Sequence, residues 1–207
     1  MTTTQLEAPV MTVRPFARIG ADTRYVLTGF PIGIAALTVS VTAFSLGLGL
    51  AVVWVGVPIL VAALVAARGF AAAERRRAGA VLGQDLEDPV YRTGPALHRL
   101  ADPRAWRDLA HAMVRFIPNT IAFSFVVAWW AGLLGGLTWA AWGWALPNGP
   151  DDHDVTYWLG LGESYGTSVV FYLVTAVVFG ATLPLVVRAA ARLEAGFARA
   201  LLGSRPR

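Results

Sequence analysis

Four consecutive residues carry side chains that could bind a metal ion or a proton: Asp151, Asp152, His153 and Asp154. Carboxylate oxygens are the ligands that hard divalent cations such as Ca²⁺ prefer, and a histidine titrates near neutral pH. Adjacent residues converge on one ion only when a turn and further ligands assist them. We therefore interpret the segment as a solvated acidic loop, with a metal site and a pH sensor as the alternatives.

Aromatic side chains stand on both sides of this acidic segment, and four of them are candidates for ligand sensing: Trp139, Trp142, Tyr157 and Trp158. Tryptophan and tyrosine collect at membrane–water interfaces, where an apolar ring and a polar edge are both accommodated. The simplest interpretation is an aromatic belt at the outer interface. The alternative is an apolar pocket for a lipid or a membrane-active compound.

Motifs of catalysis are missing from the sequence. It contains no cysteine and no G-x-x-x-x-G-K, H-E-x-x-H or G-x-S-x-G pattern. His98 and His111 lack the neighbouring acidic residue that we expect beside the phosphoaccepting histidine of a kinase. We therefore expect no catalytic residue, no cofactor and no enzymatic activity.

Composition places the chain among membrane proteins, since 56% of its residues are hydrophobic, 14% are charged and the mean hydropathy is +0.57. Three long stretches lack charged residues and histidine: 25–67, 116–150 and 164–187. About 20 apolar residues cross the hydrocarbon of a bilayer. We predict an all-α integral membrane protein with four transmembrane helices, at about 26–46, 49–67, 116–145 and 166–187.

Glycines refine this assignment. The segment "SLGLGL" at 45–50 predicts a tight turn between the first two spans. The third helix is longer than a bilayer requires, and we predict that it overshoots or breaks near three glycines: Gly132, Gly135 and Gly136. Two glycine pairs predict close helix packing, with a homodimer interface as the alternative: Gly29 with Gly33, and Gly132 with Gly136.

The basic residues predict the orientation. All seventeen are arginines, and they fall before residue 25, between residues 68 and 115, or from residue 188 onward. Arginine collects in short cytoplasmic loops. We predict a cytoplasmic flexible tail (1–22), a four-span domain (23–203) with a cytoplasmic loop (68–115) and an outer loop (146–165), and a cytoplasmic tail (204–207), all in the inner (plasma) membrane. The arginines give the chain a pI of about 10.1. Because they flank the apolar stretches, we interpret them as orienting the chain and contacting anionic lipid headgroups, and we expect no nucleic-acid partner.

One helical segment occurs twice: "ARGFAAAERRRAGAVLG" at 67–83 returns as "VRAAARLEAGFARALLG" at 187–203. Each copy follows two spans, so we predict two tandem halves of the same orientation, each ending in a cytoplasmic amphipathic helix. Pro31 and Pro118 would then stand in the first turn of a span, where proline is tolerated. The arginines of the two copies mark the inner side and are candidates for docking a cytoplasmic partner: Arg75, Arg76, Arg77, Arg192 and Arg199.

The segment "DPRAWRDLAHAMVRF" at 102–116 predicts a further helix, capped by Asp102 with Pro103 at its first position. Four residues with helical spacing form its apolar face: Trp106, Leu109, Ala110 and Met113. We predict that this helix lies on the inner leaflet and leads into the third span. The preceding segment at 84–100 is interrupted by prolines, which favours irregular structure.

Together, four segments resemble the sensor domain of actinobacterial membrane histidine kinases: "RYVLTGFPIG", "SLGLGLAVVWVGVPIL", the first copy of the repeat and "DPRAWRDLAHAMVRF". The resemblance extends from about Arg24 to Gly203. It implies a four-span unit that passes a membrane signal to a phosphotransfer helix and an ATPase domain. No kinase sequence follows Gly203, so we expect a freestanding form or the first part of a longer chain.

The resemblance implies a non-enzymatic signal-input module whose partner is a histidine kinase or a transcriptional regulator. Two alternatives are a structural membrane scaffold and an accessory protein that binds a lipid or another small molecule. A transporter is a third, but the apolar stretches contain no ionisable side chain of the kind that intramembrane transport sites use.

Overall fold

The computed structural model describes residues 15–92, 94–146 and 153–203, and these residues form helices and connecting turns with no strand among them. The helices, in chain order, are α1 (Pro15–Gly49), α2 (Gly56–Leu82), α3 (Ala96–Leu100), α4 (Pro103–Val114), α5 (Phe116–Trp142), α6 (Val155–Trp158) and α7 (Tyr165–Leu202). Short 3₁₀ turns follow α1 and α5, at Ala51–Val53 and Gly143–Ala145.

Four long helices contain apolar stretches long enough to cross a membrane, which confirms the all-α, four-helix fold class. The helix predicted at 116–145 is α5 with its 3₁₀ turn, and it continues without a break through its glycines. The second span begins later than predicted, because the chain turns at residues 50–55. Trp54, 80% exposed in this turn, has the left-handed backbone angle φ 64° that was expected of a glycine.

The first helix begins earlier than predicted. Residues 15–22, assigned above to a flexible tail, form the first turns of α1. Asp22 explains the extension, since its carboxylate accepts two hydrogen bonds from Arg188, at 3.0 and 3.1 Å. Pro31 consequently lies inside α1 instead of at the entry of a span. The rest of the predicted N-terminal tail and the C-terminal tail lie outside the described residues.

Both copies of the repeated segment are helical, but neither is a separate helix. The first copy is the second half of α2, and the second copy is the end of α7. Alanine accounts for this continuity because it has the highest helix propensity of all residues. Helices α2 and α7 therefore each join an apolar stretch directly to a charged one.

The two helix hairpins point in opposite directions. Helices α1 and α2 form one hairpin, and α5 and α7 form the other, in which the Trp129 indole donates to Thr182 at 2.8 Å. Between the hairpins, Asn119 of α5 donates to the Gly29 carbonyl at 3.0 Å, and Trp130 donates to Thr23 at 3.3 Å. Residue numbers rise along α5 while they fall along α1, so these two helices are antiparallel.

The prediction that the two halves share one orientation is therefore wrong for this structure. The repeated segments of α2 and α7 pack antiparallel, and Arg188 donates to the Val81 carbonyl at 3.2 Å. Buried alanines on both segments explain the pairing, because small side chains let the two helices approach closely: Ala71, Ala78, Ala191, Ala195 and Ala198.

Helix α4 packs against α1 and α2 along one face, and its position on the inner leaflet stays a prediction. Its buried alanines contact Ala36 of α1 and Leu64 of α2, and Trp106 meets Phe44 edge-on at 6.1 Å. Asp102 caps it as predicted, with Pro103 in the first turn. Ala110 is exposed whereas Asp108 and His111 are buried, because Asp108 pairs with Arg75 of α2 and His111 stacks on Phe197 of α7.

Gly136→Ala tests the close contact of α5 with α7. A methyl group at Gly136 would clash with the Tyr172 carbonyl oxygen and lie 2.8 Å from the Ala176 Cβ, whereas Gly135 has no atom within 4 Å of the same position. We expect Gly136→Ala to destabilise the protein by about 1–3 kcal/mol, because overpacking forces the helices apart. Thermal unfolding in detergent measures the change. Gly135→Ala is the matched control, and equal destabilisation by both variants would contradict the packing.

Candidate functional site

A buried ionic cluster lies where the four long helices meet. Arg115, at the junction of α4 and α5, approaches Glu74 of α2 at 2.9 Å and Glu194 of α7 at 3.6 Å. All three side chains are at most 3% exposed. Glu74 and Glu194 occupy equivalent positions in the two copies of the repeat. The antiparallel packing thus brings the two copies of one glutamate to a single arginine.

The two glutamates have different surroundings. Glu74 accepts a hydrogen bond from the Tyr25 hydroxyl at 2.7 Å and another from Arg77 at 3.0 Å. Neither carboxylate oxygen of Glu194 has a hydrogen-bond partner among the described residues. We call these five residues, Tyr25, Glu74, Arg77, Arg115 and Glu194, the Arg115 cluster. Its ionisable groups include two carboxyl groups and two guanidinium groups, and the guanidinium groups lie closer to Glu74 than to Glu194.

Glycines on α1 make room for the cluster. A methyl group at Gly29 would overlap the Glu194 carboxylate, and one at Gly33 would lie 2.5 Å from the Asn119 amide nitrogen. These two glycines therefore make room for polar side chains of the same chain, and no neighbouring backbone atom is among the nearest atoms at either position.

A second ionic group fixes the segment after α2. Arg75 donates to Asp108 at 2.8 Å, to Asp88 at 3.1 Å and to the Tyr91 hydroxyl at 3.2 Å. Burial, followed by the hydrogen bond to Asp108, raises the pKa of Tyr91 to about 12. Tyr91 therefore stays protonated and donates to Asp108. These bonds tie the irregular segment to α2 and α4.

Only some of the arginines predicted to dock a partner are accessible. Arg75 is 2% exposed and both of its terminal nitrogens are hydrogen-bonded within the protein, so it is not available for docking in this structure. Arg77 is partly buried and donates to the Tyr25 carbonyl at 2.7 Å. Arg76, Arg192 and Arg199 are exposed. The candidate docking surface therefore consists of these three.

The aromatic residues at the turn between α5 and α7 form a second feature. The rings of Trp139 and Tyr172 stack at 3.9 Å, and the Tyr172 hydroxyl donates to Asp154 at 2.8 Å. Although burial opposes it, hydrogen bonds from Ser168, Tyr172 and the Val155 amide hold the pKa of Asp154 below its usual range. Asp154 is thus an ionised structural carboxylate that joins the start of α6 to α7.

The predicted metal ligands diverge where they are described. His153 stacks on Tyr157 at 3.8 Å and lies 3.3 Å from Glu163, whereas Asp154 faces Tyr172. Asp151 and Asp152 lie outside the described residues. Within the described part of the chain no group of three metal-ligating side chains converges.

The four predicted sensing residues do not form one pocket. Trp139 is partly buried in its stack, whereas Trp142, Tyr157 and Trp158 are exposed, the last by 75%. An open groove of about 730 Å³ lies nearby on α7, and other residues line it: Leu161, Ser164, Gly166, Thr167, Val170, Phe171 and Val174.

Sequence reasoning missed the Arg115 cluster. Its members lie at or beyond the ends of the apolar stretches, so a search for charge inside those stretches passes over them. One signal was available, namely that a glutamate recurs at the same position of both repeat copies among alanines.

A comparison with protein families gives one match. The family model described as "Putative sensor" matches residues 25–202. The match covers the four long helices except the first turns of α1, and it includes the Arg115 cluster. No curated protein and no solved structure matches the chain.

Asp102→Asn tests whether the charge of Asp102 stabilises the start of α4. The Asp102 carboxylate accepts from the backbone N–H groups of Arg92 and Arg104, at 2.8 and 3.0 Å, and lies 3.7 Å from Arg68. Despite its burial, these groups lower the pKa of Asp102. The stability that the charge contributes is therefore full above about pH 4 and is lost as the pH falls through the lowered pKa.

We expect Asp102→Asn to lower the free energy of unfolding by about 1–2 kcal/mol at pH 7. On acidification the variant should lose less stability than the unsubstituted protein. Chemical unfolding in detergent at several pH values gives both quantities. The exposed Asp85 provides a control as Asp85→Asn. Parallel pH profiles for the unsubstituted protein and Asp102→Asn would contradict the assignment.

Tyr172→Phe tests the link between α6 and α7. Loss of its hydrogen bond to the ionised Asp154 should cost about 1 kcal/mol of stability. Tyr157→Phe, at an exposed tyrosine of the same turn, should change little. Thermal unfolding compares the two, and an unchanged Tyr172→Phe variant would refute a structural role for the bond.

Proposed function

Because the chain belongs to the family described as "Putative sensor", we propose that it is a non-enzymatic membrane module that detects a membrane or envelope signal and relays it to a histidine kinase or another cytoplasmic partner. The family supports the sensing role. The relay, its partner and the plasma-membrane location are our proposal, which the four long apolar helices support.

The continuity of α7 carries the proposal. This single helix of 38 residues is about 57 Å long. Near its start, Tyr172 contacts the aromatic turn, and near its end Glu194 enters the Arg115 cluster. A displacement of the helix at the turn can therefore reach the cluster through one continuous helix, which contains Pro184 between the two.

The input end suits an apolar or amphipathic signal. Trp142, Tyr157 and Trp158 expose aromatic surface at the turn, where a lipid or a membrane-active compound can contact them. The output end suits an acidic partner surface, since Arg76, Arg192 and Arg199 are exposed on the repeated segments.

Transport is a weaker alternative. Oppositely oriented halves also occur in transporters, whose substrate sites lie near the middle of the bilayer. Here, exposed arginines surround the Arg115 cluster: Arg76 follows Glu74 by two residues, and Arg107 donates to the Leu201 carbonyl beside it. Exposed charges at this level are incompatible with hydrocarbon, so we place this level of the helices in water.

Partner capture tests the function. Photo-crosslinking residues at Arg76 and Arg199 in native membranes should trap the same kinase or regulator at both positions, because both lie on the proposed output surface. Mass spectrometry identifies the product. Leu185, which is exposed on the apolar part of α7, is the matched control and should trap lipid. Self-crosslinks or lipid alone at both arginines would favour a scaffold and contradict the relay.

A further inference from the structure

Three contacts fasten the end of α7 to α4. Arg107 donates to the Leu201 carbonyl at 3.1 Å, His111 stacks on Phe197 at 5.8 Å, and Arg115 lies 3.6 Å from Glu194. The α4 residues are spaced four apart and their α7 partners three or four apart, so each set lies on one helix face. The end of α7 is thus held along its length by α4.

One contact in this row joins two ionisable side chains that are not fully satisfied. The Arg115 guanidinium is closer to Glu74 than to Glu194, and Glu74 has two further donors. Glu194 has no hydrogen-bond donor among the described residues. When both glutamates are ionised, two buried negative charges share Arg115. Only Glu74 then accepts hydrogen bonds from other side chains, namely Tyr25 and Arg77.

The charged and titratable groups around Glu194 come from every element packed against it. Helix α1 contributes Tyr25, α2 contributes Glu74 and Arg77, and the α4–α5 junction contributes His111 and Arg115. A proton on Glu194 removes the unfavourable negative charge without disturbing the bonds of Glu74.

We propose that α4 and the end of α7 form a proton-sensitive latch, which is closed when Glu194 is protonated and loosened when Glu194 is ionised. This rests on the proposed function in taking the end of α7 as the output. The signal that changes the position of this end is then the proton concentration in the surrounding water. Ionised Glu194 gains solvation when the end of α7 moves away from α4.

The titration properties of the row agree with this assignment. Glu194 lies beyond the apolar stretch that ends at Val187. Burial and then the charge of Glu74 raise the pKa of Glu194 to about 8, against the opposing effect of Arg115. Burial, followed by Arg115 and Arg75, lowers the pKa of His111 to about 3, so His111 stays neutral. Glu194 is therefore the group that changes charge near neutral pH.

The sign of the effect follows from proton linkage. The closed state binds the Glu194 proton more tightly than an open state in which the carboxyl meets water. The ratio of closed to open molecules is therefore highest below about pH 4. It falls by up to about tenfold per pH unit as the pH rises toward 8.

Cysteine accessibility measures the latch in the full-length chain, which has no native cysteine. Phe197→Cys reports opening, because Phe197 is partly buried and stacks on His111 of α4, and Arg199→Cys corrects for thiolate reactivity, because Arg199 is exposed. In phospholipid nanodiscs, the ratio of their labelling rates with a water-soluble maleimide should rise at least about tenfold between pH 5 and pH 9. A ratio that stays flat would overturn the latch.

Substitutions distinguish the effect of the Glu194 proton from the effect of the packing contacts between α4 and α7. In a Glu194→Gln background the ratio should stay low at every pH, because glutamine mimics the protonated acid. Arg107→Ala should raise the ratio at every pH and keep its slope, because it removes a contact that does not titrate. Glu163→Gln, at an exposed carboxylate of the other end, should behave like the parent. A full pH response in Glu194→Gln would also overturn the latch.

The outcome is independent of partner capture. A pH-dependent ratio without a captured partner would retain the latch and contradict the relay. A captured partner with a flat ratio would retain the relay and contradict the latch.

Discussion

The placement of one arginine between two equivalent glutamates is the constraint on which this structure depends. Arg115 ends α4, begins α5 and contacts Glu74 and Glu194 on two other long helices, while Gly29 of α1 leaves the space for them. Removing one partner from a buried ion pair leaves an uncompensated charge, which is strongly destabilising. The position of every long helix is therefore coupled to this centre.

This arrangement gives the repeat a physical role. Two copies of an alanine-rich segment can pack antiparallel with closely matched surfaces, and the glutamate in each copy then reaches the middle of the contact. Because a single arginine serves both copies, the symmetry is broken: Glu74 is fully bonded and Glu194 is not. The less satisfied copy lies on α7, the helix that also reaches the aromatic turn. In the proposed function, this continuous helix joins the sensing end to the output end.

The positions of the individual helices could be predicted from the sequence, whereas the relative direction of the two hairpins could not. Runs of apolar residues located the long helices, and Asp102 with Pro103 located the start of α4, because both signals are local. The direction of one hairpin relative to the other depends on contacts between residues far apart, such as Asn119 with Gly29, which hydropathy does not describe. The arginine distribution predicted turns on the same side, whereas the packing places them at opposite ends. The Arg115 cluster was missed for the same reason, because Glu74 and Glu194 lie far apart in the sequence and contact Arg115 only in the folded protein.

The antiparallel packing of α1 and α5 is the central claim, and a thiol crosslink in native membranes tests it most directly. Thr23→Cys with Trp130→Cys should crosslink efficiently through a short bifunctional reagent, because these side chains meet at 3.3 Å. Leu37→Cys with Trp130→Cys should not, since Leu37 lies on the same face of α1 but about 21 Å further along it. Efficient crosslinking of the Leu37 pair, with none for the Thr23 pair, would show that the helices run parallel and would contradict the account.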